Sequence, residues 1–243
     1  MWRRNVTPLD WIMLALAALA VTGIGVIIVV GSHRPAPKAV PFDYASPIPI
    51  AVGSLQSSFG PGITTLGVAP QHVGDVIVVM AESDYVGSRL AHVVGGGVSA
   101  WIPALERIGT AEPHTYALWY GTVSIPGKSA IGFVWNGPIN NAEYEAQEFT
   151  GGQGWYLDGA GSLDNAPSMT VSYPNIVTSG AGDLYFGFAD YGTAAATGAT
   201  PGYAYLKTPD NNQVTFGVDA KTPSATIPSA VPSTTVAIAL AST

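Results

Sequence analysis

The stretch His72-Val-Gly-Asp-Val-Ile-Val-Val-Met-Ala-Glu-Ser83 decides how the chain is read. A Gly74-Asp75 turn signal is followed by four β-branched residues, Val76 to Val79, the side chains that favour a pleated strand over a helix. Working outward, similar short runs recur at Ile50–Phe59, Ile63–Val68, Leu90–Val94, Trp101–Ile108, Tyr116–Val123, Ala130–Trp135, Glu143–Thr150, Met169–Tyr173, Leu184–Asp190, Tyr203–Leu206, Val214–Val218 and Thr235–Leu240. Turn formers separate them, among them Gly95-Gly96-Gly97, Pro126-Gly127 and Asn136-Gly137-Pro138. From residue 50 onward no helical periodicity lasts three turns. The expected head is therefore all-β, a single jelly-roll-like β-sandwich spanning residues 50–243.

Composition narrows the function classes. The 243 residues are 47% hydrophobic and 10% aromatic, so disorder over the whole length is excluded. The absence of Cys excludes disulfide scaffolds and Cys-based zinc sites. A net charge of −7, with 9 Lys+Arg against 16 Asp+Glu, leaves no basic footprint for a phosphate backbone, so nucleic acid is not an expected partner.

Ahead of the head, Trp11 to Val30 carries no charge, and 20 residues at a rise of about 1.5 Å cover the roughly 30 Å hydrocarbon core of a bilayer. A long hydrophobic α-helix over residues 6–31 is the expectation. Arg3 and Arg4 precede it as a basic n-region, which also fits a secretory signal, although the apolar run exceeds the usual 7–15 residues of one. After it, residues 32–49 hold prolines at 35, 37, 41, 47 and 49, a spacing that favours an extended, semi-rigid spacer.

The sequence Arg3-Arg4-Asn5-Val6-Thr7-Pro8-Leu9-Asp10 resembles the leader and mature start of type IV pilin-like proteins, particularly archaeal pilins. The resemblance covers about the first 30 residues. It implies a leader at residues 1–5, peptidase cleavage between Asn5 and Val6, and Asp10 at the fifth mature position, where the family carries an acidic side chain. Physically, cleavage creates an α-ammonium at Val6 at the edge of an apolar environment, and the Asp10 carboxylate of a neighbouring copy can compensate it. Asp10 also has a local role open to it: Thr7 as N-cap, Pro8 at the first helical position and Asp10 in the first turn would start a helix. The succession HVGDVIVVMAES, HVVGGGVSAWIPALE, YALWYGTVS and AEYEAQEFT looks like a β-sandwich recurring in exported bacterial and archaeal surface proteins and some phage tail proteins, a resemblance that spans most of residues 50–150 with Thr235–Leu240 as a closing strand.

Within the head, Glu143, Glu145 and Glu148 form E-Y-E-A-Q-E, similar to the acidic strand of a retaining glycosidase family with a concanavalin-like sandwich. Period two puts Glu143 and Glu145 on one strand face, and Glu148 reaches that face only with a bulge. A solvated strand face accounts for the same residues. His33, His72, His92 and His114 show no metal-ligand spacing, and no Gly-x-Ser-x-Gly elbow is present, so no enzyme activity, metal or cofactor is expected. Trp119-Tyr120 and Trp155-Tyr156 are candidate sugar-stacking aromatics, with at most one of each pair facing outward. The last run, TTVAIALAST, is expected to return to the sheet or to complete the sandwich of a neighbouring subunit.

These readings combine into one expectation. The chain is a structural subunit of a pilus-like extracellular filament, inserted in the cytoplasmic membrane before assembly and partnered by copies of itself. Its helices form the core and its β-heads the adhesive outer surface, with surface glycans as further partners. The alternative is a membrane-anchored β-sandwich that binds polysaccharide or another cell surface.

Overall fold

A computed structural model describes residues 48–152, 154–191, 196–219 and 222–243. The expected leader, the helix over 6–31 and the spacer as far as residue 47 lie outside the described residues. Among the described residues no helix forms, and none is long and apolar enough to cross a membrane.

The strands in chain order are β1 (Ile50–Pro61), β2 (Thr65–Val68), β3 (Val76–Ser83), β4 (Arg89–Gly95), β5 (Ile102–Ile108), β6 (Thr115–Thr122) and β7 (Ser129–Asn136). They continue as β8 (Asn141–Thr150), β9 (Trp155–Ser172), β10 (Leu184–Asp190), β11 (Thr197–Gly198), β12 (Tyr203–Lys207), β13 (Gln213–Val218) and β14 (Ser224–Ser242). Three antiparallel sheets result. A five-stranded sheet runs β1-β8-β3-β6-β5, and a three-stranded sheet runs β2-β7-β4. A six-stranded sheet runs β11-β14-β10-β13-β12, with β9 also paired to β14.

Side-chain alternation on β3 explains the stacking. Val76, Val78 and Met80 pack with Leu184, Phe186 and Phe188 of β10 and with Val236, Ile238 and Leu240 of β14. Ile77, Val79 and Ala81 pack with Leu66 and Val68 of β2 and Ile131 and Phe133 of β7. The five-stranded sheet is therefore a middle layer covered on both faces, and every residue of β3 is buried. This corrects the single jelly-roll-like sandwich: the described residues fold as three stacked antiparallel sheets with a separate core in each of the two spaces between them. The contiguous apolar run VIVVMA is the physical reason, because a strand with one solvated face would alternate apolar with polar residues.

A third cluster lies on the far face of the six-stranded sheet, where Tyr173 and Ile176 pack over Tyr185, Ala237 and Ala239. Glycine makes this possible in β9: a Cβ on Gly159 would come within 2.4 Å of the Ile176 side chain. The final strand β14 pairs with β9 on one side and β10 on the other within the same chain. The Gly95–Gly97 run ends β4 and forms the turn that leaves it, with φ of 75°, 71° and 73°, and a Cβ on Gly97 would sit 2.1 Å from the Ile125 carbonyl oxygen.

Candidate functional site

The apolar stripes between the five- and six-stranded sheets all run out at the same end. On β3 the series Val76, Val78, Met80 ends in Glu82, and on β10 the series Leu184, Phe186, Phe188 ends in Asp190. On β6 the series Tyr120, Leu118, Tyr116 leads to His114, the residue just before the strand. On β8, Phe149 and Gln147 are followed by Glu145 and Glu143, and on β14, Val236 gives way to Thr234. Period-two geometry thus gathers four acids and one imidazole where the hydrophobic core stops.

Their burial is nearly complete: Glu82, Glu143, Glu145 and Asp190 are 4%, 1%, 0% and 2% exposed. The His114 Nδ1 atom lies 2.7 Å from Glu82 Oε1 and 2.9 Å from Asp190 Oδ2. The Tyr116 hydroxyl donates to Asp190 Oδ2 at 2.6 Å. Asn212 Nδ2 donates to Glu143 Oε2 at 2.9 Å and lies 3.5 Å from Glu82 Oε2, while the Asp210 amide donates to Glu143 Oε1 at 3.2 Å. The Ser57 hydroxyl, from β1, donates to Glu145 Oε2. Glu145 Oε1 receives no donor, and the Glu145 carboxyl lies close enough to that of Glu143 to share a proton with it.

The electrostatics follow from this crowding. Hydrogen bonds to Asp190 and Glu82 push His114 up to about 10, so in the ion-free fold the ring is an imidazolium at neutral pH, and a metal ion could bind it only by displacing its proton. Burial, with Asp190 and Glu143 as like-charged neighbours, lifts Glu82 well above the usual carboxylate range. Burial lifts Glu145 to about 9; the Ser57 bond opposes the shift and the Glu143 and Glu82 carboxylates add to it. Glu143 is raised by burial in spite of its bonds to Asn212 and Asp210. A cavity of about 290 Å³ borders the cluster, lined by Glu82, His114, Glu143, Asp84, Asp210 and Phe59.

Glu148 stands apart. It faces the opposite side of β8, where its Oε1 accepts from the Gln71 amide at 2.8 Å and the His72 amide at 3.3 Å, and its Oε2 accepts from Gln71 at 3.0 Å. His72 Nδ1 lies 3.1 Å from Asp75 Oδ2, forming a second histidine–carboxylate group whose imidazole is 62% exposed. The β8–β3 pairing runs without a register break from Val76↔Phe149 to Ser83↔Ala142, so no bulge turns Glu148 toward Glu143 and Glu145.

The candidate aromatics divide by layer. Tyr120 and Trp155 fill the core between the five- and six-stranded sheets, with the Trp155 indole donating to the Gly74 carbonyl at 3.1 Å. Trp119 packs partly buried against the other core, because the three-stranded sheet covers that side. Tyr156 is 45% exposed. Arg3, Arg4, Asn5, Val6 and Asp10 lie outside the described residues. Sequence reasoning missed Glu82, His114 and Asp190 as a group; the available signal was that each apolar alternation ends in a polar side chain.

The chain matches no family profile, no curated protein and no solved structure.

Proposed function

We propose that the chain is a structural subunit of an extracellular filament. The charge-free segment Trp11–Val30 is sequestered among copies of itself, and the layered β-head forms the outer surface. The observation that carries this reading is the order of segments: a membrane-length apolar run, a proline-rich spacer, then an all-β body. Ile48 and Ile50, 64% and 62% exposed, add support as apolar side chains left open where the described head begins. The pair of strand acids offers little to a glycan, because Glu143 and Glu145 are only 1% and 0% exposed.

Two measurements test the reading. N-terminal sequencing of protein recovered from cells is expected to begin at Val6, and a start beyond Ser32 would overturn the assignment. Asp10→Ala is expected to abolish fibres, as seen by electron microscopy, while the precursor still reaches the membrane; normal fibres would remove the pairing of Asp10 with the new N-terminus.

A further inference from the structure

We propose that Glu82, His114 and Asp190 form a binding site for a divalent cation of the class that accepts imidazole and carboxylate together, with Zn2+ as the best match. One ligand atom from each of the three residues lies within 4.8 Å of the others. They come from β3, the residue preceding β6, and the end of β10, so a bound ion would tie the middle sheet to the six-stranded sheet at the point where the apolar core ends. Around a tetrahedral ion with bonds of about 2.0–2.1 Å, donor atoms sit roughly 3.4 Å apart. The His114 Nδ1 contacts, at 2.7 and 2.9 Å, are shorter than that spacing, and small carboxyl rotations supply the difference. The cavity lined by Glu82 and His114 leaves room for a fourth ligand such as water.

Two independent observations point to a cation rather than to a self-sufficient ion triad. First, Glu82 and Asp190 converge on the same ring nitrogen, which has at most one proton to share between them. Second, Glu145 is fully buried with no donor group to its Oε1, and its carboxyl is crowded against that of Glu143, with Glu82 also near. Four buried acids therefore face one imidazole, which is the only basic side chain among the described residues in contact with the group. Buried carboxylates in excess of their counter-charges are costly unless protons or a metal ion neutralise them. The His72–Asp75–Glu148 group lacks this demand, since backbone amides already hold both Glu148 oxygens.

The test is Zn2+ binding to the untagged full chain in detergent, read by elemental analysis after dialysis and by thermal unfolding. One Zn2+ per chain is expected, with the melting midpoint rising by about 5–10 °C at a free-ion concentration 100-fold above the dissociation constant. His114→Ala is expected to lose both effects and His72→Ala to keep both. If His114→Ala does not fold, Glu82→Gln, which keeps the shape of the side chain, is expected to weaken binding by about tenfold or more. No retained Zn2+ on the native chain overturns the proposal, as does an ion kept by His114→Ala or by Glu82→Gln at undiminished affinity. An ion lost on His72→Ala but kept on His114→Ala places it at the other histidine and equally overturns the assignment.

Discussion

At one end of the middle sheet, Glu148 has both oxygens held by the amides of Gln71 and His72, beside an imidazole open to water. At the other end, on the opposite face, Glu82 and Asp190 share the Nδ1 of His114, with Glu143 and Glu145 close behind. The residue types are the same and the electrostatic solutions differ. Backbone dipoles supply positive potential without a counter-ion, so the first group is settled by the loop that carries it. The second group lies between two sheets whose backbone amides are largely committed to ladders; one loop amide, that of Asp210, reaches Glu143, and side chains must answer the rest of its charge. What separates the two is therefore the type of backbone that surrounds each, a loop or a ladder.

The sharpest way to break that contrast is to remove each imidazole in turn. His114→Ala leaves Glu82 and Asp190 buried without their cation, and a loss of about 3–5 kcal/mol is expected in chemical denaturation. His72→Ala, at an exposed ring, is expected to cost less than about 1 kcal/mol. Equal losses would dissolve the distinction.

A second measurement uses pH, with a chelator present. Glu145, at about 9 in the fold against an ordinary 4.5, contributes stability that is complete below about pH 4.5 and is lost as pH rises toward 9. His114, at about 10 against 6.5, contributes stability that is complete below 6.5 and is lost as pH rises through 10. Glu145 is faced by Glu143 on its own strand and Glu82 on β3; His114 is faced by Glu82 and by Asp190 on β10. Asp164 behaves in the opposite sense. Burial works against its ionisation, but the Thr110 amide and hydroxyl, the Thr234 hydroxyl and Arg107 at 2.7 Å outweigh it and hold the carboxyl well below its usual range. Its stabilisation is present above the ordinary Asp value and fades as pH falls below it. Melting temperatures are thus expected to decline from pH 5 to pH 9, with Glu145→Gln flattening the decline; a rise over that range would contradict the burial of the acids. The smallest of these effects belongs to Tyr116→Phe, which deletes the hydroxyl bonded to Asp190 and is expected to cost about 1–2 kcal/mol in the same denaturation assay.

The sequence made part of this readable. Strands β3, β6, β8, β10 and β14 stand out because β-branched and aromatic side chains cluster there, and period two correctly separates Glu148 from Glu143 and Glu145. The number of sheets was not readable, because the run VIVVMA states that both faces of β3 are buried without stating what buries them. Most of β9 escaped notice: between Trp155 and Met169 it is written in Gly, Asp, Asn and Pro, residues that ordinarily mark turns, and it holds its place by pairing along β14 across three register shifts. The acid–imidazole group was hidden by chain distance. Asp190 lies 76 residues beyond His114, and only the register of β10 against β14, set beside that of β3 against β6, brings them together.

Strand β14 imposes an order of events on the chain. It lies between β9 and β10, so its neighbours wait on residues 224–242, which are made after every other strand. A partly synthesised polypeptide would hold Phe186, Phe188 and the stripe of β9 without their shared neighbour, and such unfinished sheets are prone to stick to one another. Synthesis would therefore deliver a slack chain that tightens only once that strand is made, and a nick or a stop before Ser224 would leave β9 and β10 without their shared partner while β10, β13 and β12 could still pair.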